Sequence, residues 1–565
     1  MPYHPVLVIG GGLAGLRAAL EARFLGVESA ILSLVHPLRS HSGAAQGGIN
    51  APLGNVEEGR EDTPERHARD TVFGSDFLAD QDAVEVLTSQ APVRIYELEH
   101  WGTPFSRTRE GKIAQRPFGG AGFPRTCYAA DKTGHYLLHT LYQQVLKHQV
   151  KVYVEWVTLS LVVEKGEVQG VIALHLPTGE VEAFSASAVV LATGGAGRLY
   201  AKSTNALINT GSGLVLAYQA GAPLEDMEFI QFHPTCLVGT HILISEAARG
   251  EGGYLLNNKG ERFMKDYTPK FMELAPRDIV TRSIITEIEA GRGVDGGYVL
   301  LDLRHLGAEK IMERLPGIRE LAINFAGVDP IHTPIPVEPA QHYTMGGVAS
   351  NSWGQTPLPG LLAAGECACV SVHGANRLGG NSLLETVVFG QRAGERAAQI
   401  AKERGKVGDE KALGQAKEGV LACLEGLKRG QGQEEPARLR EEMRQVMTEK
   451  VGIFRTRKDL ESAVATLQDL QERAGKLRPA FRGRRFNLDL LRCWELPGQL
   501  RVAQVIARGA LLREESRGSH FRRDFPQRED KQWLKHTLAH FTHQGPRLSL
   551  QEVTITKWQP EARKY

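Results

Sequence analysis

The sequence predicts an α/β protein: a Rossmann-like nucleotide-binding domain split by an inserted α+β capping domain, then a helical domain and a small C-terminal domain. Three observations predict it. Val6-Leu7-Val8-Ile9 is an all-apolar run entering Gly10-Gly11-Gly12-Leu13-Ala14-Gly15, a G-x-G-x-x-G loop between a strand and a helix. Two later apolar runs, Val189–Ala192 and Leu361–Ala364, end in glycine, like strands of one sheet delivering their ends to one ligand. From about Gly394 to Arg517 the composition turns to Ala, Glu, Lys, Leu and Arg, the residues of helices.

After the glycine loop, Leu13, Leu16, Leu20 and Phe24 recur at helical spacing, with Arg17 and Glu21 on the other face and Gly26 as the stop. A helix N-terminus so placed faces a pyrophosphate. Ala30-Ile31-Leu32 makes the second strand. An NAD site carries Asp or Glu at the end of that strand for the ribose hydroxyls; Ser33 stands there instead, which weakens a plain NAD reading. Residues 229–343 separate parts of the sheet as a lid, and a Gly/Gln/Glu patch at Gly430–Pro436 interrupts the helical region. Near the end, Leu548, Leu550, Val553 and Ile555 stand among polar residues and read as a strand-bearing tail. The expected divisions are 1–228 and 344–400 for the nucleotide-binding domain, 229–343 for the cap, 401–517 for the helical domain and 518–565 for the C-terminal domain.

A chain of 565 residues needs several cores. A net charge of +2 gives no pointer to nucleic acid or an acidic membrane surface. The six cysteines are scattered without C-x-x-C, so neither a disulfide scaffold nor a metal or iron–sulfur site within the chain is expected. No apolar run approaches the roughly 18–20 residues of a membrane span, and no secretory leader precedes the first strand. The expectation is a soluble chain in a reducing compartment, reaching a membrane only through partners.

His41 lies in Arg39–Asn50, a run with three glycines and no acidic residue. Glycine admits close backbone approach to a planar ligand, and a histidine there can carry protons, ligate or anchor covalently. Alone, it is more often a solvated loop residue. Farther on come Gln231–Thr235, Ile244–Gly253, Pro276-Arg277-Asp278, Gln341–Gly347 and Asn376–Ser382. A single loop arginine is usually a surface ion pair of little worth. Three arginines and two histidines in glycine-punctuated loops point instead to an anion site, and guanidinium forks match carboxylates. Two anchor points suit a dicarboxylate.

On these motifs, with Ala129–Gly134, Gly374–Leu384 and Glu515–His520, the chain resembles the flavoprotein subunit of the succinate dehydrogenase and fumarate reductase family along nearly its whole length. The resemblance implies an FAD-binding domain, with His41 bonded through a ring nitrogen to the 8α carbon of FAD. Gly10, Gly12, Gly15, Ser33, Ser40, Ser42, Gly47, Gly48, Gly194, Glu366, Ser382 and Leu383 would line the cofactor. His233 and Ser245 would hold one substrate carboxylate, His342 and Arg377 the other, with Phe118 packed over the substrate. Arg277 would move the proton, and Glu246 and Arg249 would relay it to solvent. The residues alone name Glu246 as proton carrier, since arginine's pKa lies above about 12. The implied reaction interconverts succinate and fumarate by hydride transfer. Electrons would pass to a separate iron–sulfur subunit, then to quinone at cytochrome b-type membrane anchor subunits, on the cytoplasmic side of the inner membrane.

The chain departs from the family in places. Ser212, in Asn209–Gly213, replaces an aspartate that touches the flavin in relatives; Ser42-Gly43 replaces Thr-Val; Ser245 replaces threonine but keeps the hydroxyl. Gln46 stands where fumarate reductases often carry Glu, which favours succinate oxidation. The rivals are a physiological quinol:fumarate reductase, an L-aspartate oxidase-like or noncovalent flavoenzyme, which His41 argues against, and a non-catalytic assembly subunit, which the intact arginines and histidines argue against.

Overall fold

The computed structural model describes residues 1–562. β1 (Tyr3–Ile9), α1 (Leu13–Phe24) and β2 (Ser29–Ser33) form the first unit, with β1 and β2 parallel. α2 (Thr133–Lys147), β3 (Lys151–Val154) and the long strands β4 (Trp156–Glu164), β5 (Glu167–His175) and β6 (Glu180–Leu191) follow. Beyond α3 (Ser212–Gln219) and β7 (Leu224–Glu225), a second body holds β8 (Ile230–Leu237), β9 (Tyr254–Leu256), α4 (Arg277–Glu287), β10 (Val299–Asp302), α5 (Pro316–Ala326) and β11 (Ile335–Thr344). The chain returns through β12 (Gly347–Ala349), β13 (Leu361–Ala363) and β14 (Ala368–Cys369). It then forms helices α6 (Asn381–Arg404), α7 (Glu410–Arg429), α8 (Pro436–Lys450), α9 (Arg457–Arg473) and α10 (Leu488–Leu512), and a hairpin of β15 (Lys535–His540) and β16 (Arg547–Glu552).

The main sheet runs β3-β2-β1-β6-β5-β4, and β13 lies beside the end of β6. β1, β6 and β13 are mutually parallel, so Ile9, Leu191 and Ala363 end side by side and deliver Gly10, Gly194 and Gly365 to one edge. These strands read as continuous apolar runs because both faces are covered: Val6 and Val8 pack under α1 and α6, Leu7 and Ile9 face the core that α8–α10 complete. The 230–344 body has an antiparallel sheet, β8-β11-β10-β9, and a core of its own around Leu237, Leu255, Val280 and Leu301.

Three expectations need correction. Arg17 does not face outward: it is buried, with NH1 2.7 Å from Glu21 and NH2 3.1 Å from Glu97, while Phe24 is 41% exposed. α1 is roofed by α6, so it has no solvent face at Arg17 to spare. The helical stretch starts at Asn381 rather than near Gly394, and α6 belongs against α1 and the nucleotide sheet. The strands of the C-terminal domain are placed differently. Its strands end at Glu552, short of Val553 and Ile555, and β15 extends the sheet β14-β12-β7-β15-β16 by pairing with β7. His536 on β15 fixes that union, with Nδ1 2.7 Å from Asp226 and Nε2 3.2 Å from Asp80. Burial alone would lower its pKa, but Asp226 and Asp80 raise it well above the ordinary histidine value.

Candidate functional site

A cavity of about 370 Å³ opens where β1, β6 and β13 end, a volume suited to a sizeable organic ligand. Its wall includes Gly10, Gly12, Ser33, Ser40, His41, Ser42, Gly47, Gly48, Gly194, Glu366, Ser382 and Leu383, and also Phe118, His233, Ser245, Glu246, Arg277, His342 and Arg377. Two residues named from the sequence are not on it. A Cβ on Gly15 would strike the Gly10 carbonyl, so Gly15 sets how closely α1 packs on β1 and touches no cavity. Arg249 lies one layer behind Glu246.

The glycine loop divides the cavity. A Cβ on Gly11 would sit 2.6 Å from Ser33 Oγ, and one on Gly12 3.2 Å from Ser42 Oγ, so the end of β2 lies to one side and the His41 loop to the other. Gly12 begins α1 with no side-chain cap of its own, although Leu13 N–H donates to Ser42 Oγ at 3.2 Å. The remaining first-turn N–H groups present a site for a phosphate. Ser40 Oγ, buried on the wall, has no partner among the described residues, as a group awaiting a ligand would.

The His41 run is ordered. His41–Ala44 forms a 3-10 turn, and Ala206 N–H donates to His41 Nδ1 at 3.3 Å. Desolvation, then Arg198, brings the imidazole pKa down to about 4, so the ring is neutral. Gln46 ties this loop to the cap: its Nε2 donates to Leu243 O at 3.1 Å and its Oε1 accepts from Ser245 N–H at 3.2 Å. Gly47 lets Phe118 lie on the loop, since a Cβ there would come 2.6 Å from the ring. Sequence reasoning missed Arg116, whose guanidinium donates to Gly47 O and, at 3.2 Å, to Ala130 O and ties those loops together.

At this end the charged groups converge. Arg277 Nε and NH2 reach Glu246 Oε2 at 2.9 and 2.8 Å, and Gly119 N–H donates to Oε1 at 2.6 Å. Burial raises the Glu246 pKa, but Arg277 and Arg249 outweigh it and hold the carboxylate below its ordinary range. Arg249 NH2 is 3.9 Å from Glu246, and its NH1 donates to Glu273 O at 2.6 Å. Its side chain is fully buried, so it does not itself reach solvent, as the relay expectation required; Glu273 and its part-exposed partner Arg262 lie beyond it.

Arg377 is buried over the Tyr343 ring at 4.4 Å, makes no ion pair among the described residues and has an unpartnered Nε. Burial and Arg277 lower its pKa to about 10, which leaves it cationic at neutral pH. His233 and His342 meet edge to face at 5.0 Å; Thr235 engages Nδ1 of the first and Thr204 Oγ1 that of the second, at 2.9 Å, which leaves each Nε2 for a ligand. Burial first, then Arg277, holds both well below the ordinary histidine pKa, so they are neutral donors. The residue that joins the two arginines is Gln231, also missed: its Oε1 accepts from Arg277 NH1 and Arg377 NH2, each at 2.9 Å. Its amide is buried on β8, a strand that also carries His233 and Thr235, and such a group must be satisfied.

Residues 5–383 match a family model described as an FAD binding domain, and residues 440–565 one described as the fumarate reductase flavoprotein C-terminal region. The chain is 47% identical over 582 aligned positions to the fumarate reductase flavoprotein subunit of Mycobacterium tuberculosis, covering 100% of this chain and 99% of the relative. It is 45% identical to the succinate dehydrogenase flavoprotein subunit of Rickettsia bellii, covering 99% and 96%. The fold is similar to that of a variant E. coli quinol fumarate reductase, with TM-score 0.95, 42% identity and coverage of 100% and 99%.

Proposed function

The chain belongs to the flavoprotein family of fumarate reductases and succinate dehydrogenases, and on that premise we propose that it interconverts succinate and fumarate with FAD as its cofactor. The observation that carries this reading is the meeting, at the His41 end of one cavity, of unpaired Arg377, two neutral histidines and the Arg277–Glu246 pair. When bound, FAD supplies the hydride acceptor or donor. The glycine loop and the open first turn of α1 suit its pyrophosphate, and Ser40 offers a free hydroxyl beside it.

Arg377 and His342 seat one substrate carboxylate, His233 and Ser245 the other, and Phe118 covers the site. In oxidation Arg277 takes a methylene proton while passing one to Glu246; in reduction the order reverses. Because two guanidinium nitrogens already hold Glu246, this transfer needs no standing neutral guanidine. Glu246 and Arg277 are 2% and 7% exposed, which keeps the transfer away from bulk water.

We infer that His41 is the covalent tether through Nε2, since Nδ1 is held by Ala206 N–H and Nε2 is the nitrogen left for the cavity. Flavin fluorescence should persist on the denatured chain and vanish in His41→Ala; a nonfluorescent wild-type band would refute the tether. Succinate oxidation is the direction favoured in this reading, on the likeness of Gln46 to the dehydrogenases rather than to the fumarate reductases. The names of the M. tuberculosis and E. coli relatives support the reverse reading, and rates measured both ways in the native complex decide it. The partners proposed are an iron–sulfur subunit and, through it, cytochrome b-type membrane anchors on the cytoplasmic side of the inner membrane. None of the described helices is long and apolar enough to cross a membrane. Full-rate quinone reduction by the isolated chain would overturn that partnership.

A further inference from the structure

Three carboxyl side chains line the cavity: Glu246, Glu366 and Glu495. Glu246 pairs with Arg277, and Glu366 accepts from Thr344 N–H at 3.0 Å, next to His342. Glu495 comes from α10, and neither the sequence motifs nor the reaction uses it. Around the cavity it joins Ser33, Leu34, Trp156, Ser212 and Leu216, the wall on the β2 side of the glycine loop.

In dinucleotide folds the end of β2 receives the adenosine ribose, and an acidic side chain there holds its hydroxyls. Here that position is Ser33. This end therefore lacks the expected carboxylate, and α10 supplies one instead. α10 is brought there by a tight crossing with α3, where a Cβ on Gly498 would drive into Val215. Gln499 Nε2 donates to Glu495 Oε2 at 3.3 Å; Oε1 has no protein donor and the carboxylate no ion pair among the described residues. Burial pushes its pKa up to about 7 against the pull of Arg440 and Arg492, the state of a buried carboxyl still short of donors.

We propose that Glu495 holds the adenosine half of FAD, its carboxylate accepting hydrogen bonds from that moiety's hydroxyl or amino donors. This rests on FAD as the cofactor, not on the substrate, so its test reads flavin binding alone. In the full chain carrying His41→Ala and freed of flavin, FAD and FMN affinities are measured by fluorescence quenching. Glu495→Ala should weaken FAD about tenfold, or about 1.4 kcal/mol, and leave FMN, which lacks adenosine, unchanged. Unchanged FAD affinity, or an equal loss for FMN, would overturn the assignment. If Glu495→Ala binds neither flavin, the isosteric Glu495→Gln is read by the same ratio: an FAD-selective loss supports the contact, and an equal or absent loss sinks it.

Discussion

Replacing Gln231 with leucine removes the acceptor shared by Arg277 and Arg377, the arginines proposed to move the proton and to seat the substrate, while keeping nearly the same volume. A hydrogen bond from a charged donor contributes about 1.5–3 kcal/mol. Two such bonds are lost, together with the Gln231 Nε2 donations to Asn376 Oδ1 at 3.0 Å and Arg377 O at 2.8 Å, but Arg277 keeps Glu246 and Arg377 keeps the Tyr343 ring and, at 3.4 Å, Leu378 O. The lower bound, about 3 kcal/mol in total, corresponds to a fall of about a hundredfold in kcat/KM. Both terms should move, since in the proposed reaction Arg277 serves the reacting carbon and Arg377 a carboxylate that is bound throughout. The assay is viologen-driven fumarate reduction by the native complex at measured flavin content. Gln231→Glu should behave differently: its carboxylate would pair with both guanidinium groups, compete with the substrate and raise KM more than it lowers kcat. If Gln231→Leu with full flavin stayed within about threefold of wild type in kcat/KM, the bridging role would be wrong.

Glu366 predicts a pH dependence of stability. Burial raises its pKa from 4.5 to about 8, so the stability tied to its proton is complete below 4.5 and is lost as the pH climbs through about 8. In the flavin-free chain, Glu366→Gln should flatten urea-melt stability between those limits by a few kcal/mol, to order of magnitude; an unchanged slope would contradict the shift. Asp131 caps α5 of the second body from the nucleotide side, its Oδ2 accepting from Gly317 and Ile318 N–H at 2.6 and 3.2 Å. Asp131→Asn should loosen that docking by about 1 kcal/mol and raise KM roughly fivefold with flavin retained. Gly47→Ala would force the Phe118 ring away from the loop, and a rise in KM without a change in melting temperature is the expected signature.

The parts legible in the sequence are those whose chemistry is local. A glycine loop needs its own glycines, a strand end needs an apolar run, and His41, Arg277 and Arg377 announce themselves by lying in segments punctuated by glycine or proline. What stayed hidden depends on partners far along the chain. Arg17 looked solvent-facing because Glu97 and the roof of α6 are invisible in a helical period; Gln391, on that roof, donates to Glu21 across 370 positions. Gln231 stood in a quoted motif, yet its work is defined by arginines 46 and 146 positions away. The C-terminal hairpin looked independent because β7, the strand it joins, is two residues long and carries no period. Residues that face a ligand sit in segments whose composition shows it, although the expected loop placement does not hold for His233 on β8, His342 on β11 or Arg277 at the start of α4. Residues that aim them must be buried, and burial hides them among ordinary core positions. The two groups should therefore separate in kinetics: loss of Arg277 or Arg377 removes a function outright, whereas loss of Gln231 or Asp131 leaves a slower or looser version of the same reaction.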